Sequence, residues 1–215
     1  RALRLSALAA AGWPRGTRPA RRRLGPVGPP ARPPDSRIVD GAGRPCPPGV
    51  EGGVTVGGPQ TCVGTISPDG EFEDLRGTRM RTGDLAVIDE DGFVTVTGRT
   101  KDLIIRGGVN ISPVDIESVL FAHPKVRNAA VVGMPDERLG ERICAFIIPV
   151  SGATLDITEA QDWMAKYGTA KQKWPERIVT VESFPMTPSG KVQKFRLREM
   201  IAERLAAEAA GQRSA

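Results

Sequence analysis

Histidine occurs once in this 215-residue chain, at His123, and cysteine three times, at Cys46, Cys62 and Cys144. One imidazole leaves almost no material for a Ser-His-Asp triad or a histidine-based metal centre. Three thiols without CxxC spacing suggest neither a disulfide framework nor a zinc site, so no metal site is expected. Aromatic residues make up only 5% of the chain, too few to interleave with basic residues as a nucleic-acid platform. No apolar run approaches the roughly 18 residues of a membrane-spanning helix, so no transmembrane segment is expected. His123 stands before Pro124 at the end of a helical pattern and reads as a residue near a helix C-terminus, not a catalytic base.

The net charge of +5 is unevenly distributed. Residues 1–36 hold eight Arg and one acid, whereas the 22 basic and 24 acidic residues after them leave −2. A folded basic surface for nucleic acid is therefore not expected. The first 36 residues are biased to Arg, Pro, Ala and Gly. Such a segment cannot bury enough surface to offset its ordering entropy, so disorder is expected there. Its start, RALRLSALAAAG, is loosely like a targeting peptide, but the apolar run soon dissolves into an Arg/Pro-rich stretch. The protein is expected to be cytoplasmic.

With 25 Gly and 19 Pro, the rest is loop-rich. Residues 37–98 read as mainly β, with a turn at Asp40-Gly41, a strand near 53–56, and a hairpin about Asp89-Glu90-Asp91-Gly92, because Asp-Gly tolerates positive φ. After Arg99 the pattern becomes α+β. A short strand is expected at 103–105, and a helix begins at Ser112-Pro113-Val114-Asp115, with Ser as N-cap and Pro at the first helical position. That helix carries Ile116, Val119 and Leu120 on one face. Strands at 129–133, 143–150 and 177–181 follow, with a helix at 157–167 that turns Trp163 and Met164 inward. An amphipathic helix at 195–205 precedes a tail, 206–215. A small sheet with helices packed on it is the expected architecture.

Four segments carry chemistry. Thr82-Gly83-Asp84 puts a carboxylate on a tight turn, able to accept hydrogen bonds from a sugar cis-diol, though such an Asp is usually a turn acceptor. Lys101, in Arg99-Thr100-Lys101-Asp102, reads on its own as a solvated linker lysine. Arg106-Gly107-Gly108-Val109-Asn110 pairs two glycines, which either make a turn or let a ligand approach the backbone closely. Pro185 to Lys191 ends in Ser-Gly-Lys. It is not a Walker A loop, because position 185 is Pro where Gly is needed and position 192 is Val where Ser or Thr is needed. Lys194, at a helix start, and the charges at 136–138, 141–142 and 196–204 read as solvated.

Taken together, TGDLAVIDEDGFVTVTGRTKDLIIRGGVNISPVDIE and, about seventy residues on, PMTPSGKVQKF resemble the carboxy-terminal part of adenylate-forming, AMP-binding acyl-CoA synthetases. The wording is most similar to bacterial short- and medium-chain fatty acyl-CoA ligases and cyclohexanecarboxylate-CoA ligases, over residues 37–205. The resemblance implies an incomplete β-rich end of the large domain at 37–98 and the small, mobile carboxy-terminal domain at 99–205. It implies a ligase that makes acyl-AMP from a carboxylic acid and ATP with Mg²⁺, then a thioester with CoA, with nothing permanently bound. By the same resemblance Asp84 and Arg99 hold the nucleotide ribose, Lys101 is the hinge, and Lys191 is the catalytic lysine of the first half-reaction. Gly107, Gly108 and Val109 line the CoA tunnel. Many relatives place an Arg, able to touch CoA phosphate, where Asn110 stands. The phosphate loop, adenine segment and acyl pocket are not found in this sequence, so the isolated chain is expected not to turn over. Two alternatives stand beside this: a non-catalytic remnant or interaction module, and an adenylation domain that loads a carrier protein.

Overall fold

A computed structural model describes residues 35–58, 61–67 and 69–213. The expected disordered segment lies outside them, apart from its last two residues, which begin a strand. The chain divides into two compact units between Lys101 and Asp102.

The first unit is built on an antiparallel four-stranded sheet in the order β1 (Asp35–Val39), β2 (Gly52–Gly57), β5 (Met80–Ile88), β6 (Val94–Arg99). Its core is small: Ile38, Val54, Ala86 and Val94, with Cys46, Val56 and Ile88 packed against them. A separate hairpin, β3 (Gly64–Ile66) and β4 (Phe72–Asp74), leaves Ile66 and Phe72 exposed. The Asp89 loop forms as its residues suggest. The Asp89 carboxylate accepts the N–H groups of Asp91 and Phe93, and Gly92 takes φ 80°. Between Leu85 and Ala86 the β5–β6 register slips, while Asp84 stays opposite Arg99. A bulge of this kind re-aims side chains near a strand end.

The second unit is α+β. Its hairpin of β9 (Val126–Asp136) and β10 (Gly140–Pro149) is far longer than the strands read from the sequence. β11 (Arg177–Thr180) runs parallel to β10, and the short pair β7 (Ile104–Arg106) and β8 (Val109–Ile111) joins β10 at Arg106. Side chains alternate between faces along a strand, and here both faces are buried. Val131, Ile143, Ala145 and Ile147 meet Ile116 and Leu120 of α1 (Pro113–Phe121) and Ala160 and Met164 of α2 (Ile157–Lys166). Val132, Met134, Cys144, Phe146 and Ile148 meet Leu197 and Ile201 of α3 (Lys194–Arg213). Cover on both faces explains the unbroken apolar run Ile143 to Ile148, where a one-sided sheet would alternate with polar residues.

Helix ends follow local chemistry in part. Asp156 caps α2 by accepting the Glu159 N–H at 2.8 Å. Ser112 occupies the N-cap position of α1 in extended conformation, yet makes no side-chain capping bond; Pro113 at the first position has no N–H to satisfy. Trp163 is only half-buried, donating its indole N–H to the Val119 carbonyl at 2.9 Å, while Met164 is fully buried. The tail expected at 206–215 is instead helical to Arg213. Alanine-rich sequence sustains a helix after its apolar face has ended, and Glu208 pairs with Arg177 of β11. His123 is buried beside Trp163, with ring centroids 4.6 Å apart, just past the end of α1.

Candidate active-site segments

Asp84 and Arg99 meet. Their positions on β5 and β6 are directly paired, and Asp84 Oδ1 lies 2.8 Å from Arg99 Nε. Asp84 is 8% exposed. A carboxylate buried to this degree needs a partner, and Arg99 supplies one while a carboxylate retains further acceptor capacity. The Asp84 N–H is itself held by Thr82 Oγ1 at 3.1 Å. The arrangement is a carboxylate in the middle of β5, oriented by a guanidinium at the end of β6.

Lys101, the last residue of the first unit, is exposed in a 3-10 turn over Thr100–Asp102. Asp102 begins the second unit and pairs with Arg198 of α3 at 3.1 Å. Gly107 and Gly108 form the two-residue turn between β7 and β8, with φ of 56° and 80° and Arg106 opposite Val109. Positive φ at both positions is what a type I′ hairpin turn demands, so the glycine pair has a backbone reason for being there. Val109 is exposed beside it, and Asn110 follows on β8.

Lys191 sits on a closed loop in front of α3. The Thr187 N–H donates to the Lys191 carbonyl at 2.8 Å, and the Lys191 N–H donates to Thr187 Oγ1 at 3.1 Å. Gly190, at φ 75°, donates to the Thr187 carbonyl, and Gln193 donates to the Pro185 carbonyl. Met186 and Val192 bridge as a short antiparallel pair. Among the described residues no carboxylate pairs with the Lys191 ammonium. A turn this constrained sets the backbone from which the ammonium projects.

Several groups read as solvated are not, Arg198 with its partner Asp102 among them. Lys194 Nζ lies 2.6 Å from Glu117 Oε1, with the two side chains 16% and 22% exposed. Arg142 joins Asp136 at 2.7 Å and Glu176 at 3.6 Å, and Arg106 completes that cluster against Glu176 at 2.6 Å. Glu141 accepts the Ile105 N–H at 2.7 Å, tying β7 to the main hairpin. Backbone N–H groups, that of Leu139 first, hold the Asp136 carboxyl below its usual range. Glu137, Arg138 and, on α3, Arg196, Glu199, Glu203 and Arg204 are exposed as expected. Charge pattern along the chain carries no signal for these long-range pairs. Among the described residues no group of three or more His, Cys, Asp or Glu is placed to hold a metal ion, and no helix is long and apolar enough to cross a membrane.

An α+β unit carrying a lysine on a braced loop, preceded in the chain by an Asp–Arg pair across neighbouring strands, defines a class, and comparison with known proteins gives its family. Residues 115–191 match the AMP-binding enzyme C-terminal domain. The chain is 42% identical over 173 residues to the medium-chain fatty-acid–CoA ligase of Escherichia coli (strain K12), covering 79% of this chain and 30% of that one. It is 41% identical over 176 residues to the 2,3-dihydroxybenzoate-AMP ligase of Bacillus subtilis (strain 168), covering 80% and 32%. Among solved structures, ATP-bound MatB from Rhodopseudomonas palustris matches with a TM-score of 0.72 and 35% identity, over 82% of this chain and 35% of that one. Residues 115–191 belong to the AMP-binding enzyme C-terminal domain family, and the chain around them is similar to the adenylate-forming enzymes. The chain spans about a third of the length of these relatives.

Proposed function

We propose that this chain is the carboxy-terminal portion of an ATP-dependent carboxylic acid–CoA ligase, with Lys191 as its catalytic lysine. In the first half-reaction a substrate carboxylate oxygen attacks the α-phosphorus of ATP. The new P–O bond forms as the bond to the bridging oxygen breaks, and pyrophosphate leaves with the electron pair. In the second, the CoA thiol sulfur attacks the acyl carbonyl, AMP departs with its oxygen, and the thiol proton is lost to solvent. In the first step negative charge builds on the phosphoryl oxygens as the α-phosphorus becomes five-coordinate. An ammonium held there offsets it, and such preorganised charge is worth most where water is excluded.

The observation that carries this reading is the closed loop at 185–193, which presents Lys191 without a carboxylate partner among the described residues. The Asp84–Arg99 pair supports a ribose site: the guanidinium fixes the carboxylate, and the carboxylate accepts from the diol. We assign the hinge to Lys101, at the division between the two units, and the CoA-facing loop to Gly107, Gly108 and Val109. Mg²⁺ would arrive with the nucleotide. Because adenine, phosphate and acyl contacts belong to the whole protein, the 215-residue chain by itself should give no acyl-CoA above background.

The test uses the two half-reactions of the whole protein. Lys191→Ala should lower ATP–pyrophosphate exchange by about 10²–10³-fold, the usual cost of one such donor. It should leave thioester formation from supplied acyl-AMP largely intact, and equal loss in both steps would refute the assignment. A second reading has the acyl group pass to a carrier-protein thiol; the similarity to a 2,3-dihydroxybenzoate-AMP ligase, named for its adenylate and not for a CoA thioester, is compatible with it. Activity with a phosphopantetheinylated carrier but not with free CoA would select it.

A further inference from the structure

We propose that Glu117 and Lys194 form a clasp that fixes where Lys191 stands, making both of them positioning residues for acyl-adenylate formation. The proposal rests on the reading of Lys191 given above. Lys194 is the first residue of α3 and lies three positions after Lys191. Its ammonium reaches Glu117 Oε1 on α1 at 2.6 Å, and that same oxygen accepts the Val131 N–H of β9 at 2.8 Å. Glu117 is therefore held by its own helix, by the sheet and by Lys194 together.

The other end of the loop is already anchored. Phe184 is buried in the core with Leu197 and Ile201, and Val192 packs against them. Apolar contact of this kind is non-directional, and the other ion pair near the start of α3, Arg198 with Asp102, acts one turn further along the helix. An ion pair sharing its carboxylate with a backbone N–H is directional, and it acts on the residue where the helix begins. Since Gln193, Val192 and Lys191 are all bonded back across the loop to Pro185, Met186 and Thr187, a shift of Lys194 carries the whole loop with it. Half-buried ion pairs seldom add much net stability, so a geometric role accounts better for this one.

Glu117→Gln, Lys194→Met and Lys194→Arg in the whole protein test the clasp. For the first two, ATP–pyrophosphate exchange should slow by about 10- to 100-fold, the scale expected when a reacting group is displaced by about 1 Å. The KM for ATP and thioester formation from supplied acyl-AMP should barely change, and Lys194→Arg should recover most of the rate. Equal loss in both half-reactions would mean a merely structural pair and would overturn the proposal, as would no loss in either. Lys191→Ala serves as the control. If it abolishes exchange while the clasp variants do not, the clasp alone fails; if it leaves exchange intact, the reading of Lys191 fails and takes the clasp with it. Hydrogen exchange on the 215-residue chain gives a readout free of catalysis. Lys194→Met should speed exchange at the Gly190 and Lys191 amides and spare those of β9 and β10, and unchanged loop amides would count against the clasp.

Discussion

Replacing the glycines of the β7–β8 turn separates backbone necessity from ligand approach. At Gly108 a Cβ would meet nothing within 4 Å, and at Gly107 only Leu139 Cδ2 at 3.5 Å, an ordinary contact. Alanine at either site is therefore penalised by conformation alone. The left-handed region costs an L-residue about 1–2 kcal/mol, and a stiffer unfolded chain returns about 0.4–1 kcal/mol. The net loss should be about 1 kcal/mol, a fall in Tm of about 4 °C for a unit of this size. Gly107→Asn should cost far less, since Asn-Gly suits a type I′ turn, and the Gly107 N–H bond to the Leu139 carbonyl at 2.8 Å is kept. Unfolding can be followed by fluorescence of Trp163 and Trp174 in the second unit, on a Trp13→Phe background. Alanine variants as stable as the parent, or an asparagine variant as damaged as alanine, would refute the reasoning. With the fold intact in Gly107→Asn, thioester formation then asks the separate question. A selective loss there means that CoA packs against Gly107; full activity means that the glycine serves the turn only.

Other expectations follow from burial. The His123 imidazole is 6% exposed, and desolvation lowers its pKa, with Glu159 opposing and Lys125 assisting. The unfolded chain then binds the proton more readily than the folded one, so stability is complete above about pH 6.5 and falls as pH drops through the folded pKa; His123→Gln should flatten Tm between pH 7.5 and 5.5, and an unchanged slope would contradict this. The Cys144 thiol is fully buried and pushed up to about 12 by desolvation, so an alkylating reagent should label exposed Cys62 first and Cys144 only on unfolding. Asp156→Ala removes the cap of α2 and should cost about 1 kcal/mol by thermal melting, with both half-reactions unaffected. Limited proteolysis should cut near Lys101 and leave the second unit whole; uniform digestion would speak against a hinge there.

Much of the second unit was legible because its signals are local. Pro113 after Ser112 starts α1, and Ile116, Val119 and Leu120 recur at helical spacing, so one face of that helix had to be apolar. Gly107 and Gly108 announce a turn because only glycine takes their φ angles freely. Gly92 after Asp91 does the same for β5 and β6. The resemblance to adenylate-forming enzymes, carried by Asp84, Arg99 and Lys191 in their contexts, is likewise a property of the linear string. α3 runs past the end of its apolar period, and the reason is local too: residues 206–210 are mostly Ala, the best helix former.

What the string does not contain is which distant residues share a site. Glu117 and Lys194 are each an ordinary charged residue of a helix, and nothing near either one names the other. They meet at β9, against which α1 and α3 both pack from opposite faces, and whose Val131 N–H is held by Glu117. The same holds for the Arg106, Glu176, Arg142 and Asp136 cluster, drawn from four segments that only the sheet brings together. Propensity and capping act over a few residues, so sequence determines them directly. Ion pairs across a core depend on how hydrophobic faces stack, and that packing is decided only when the chain folds.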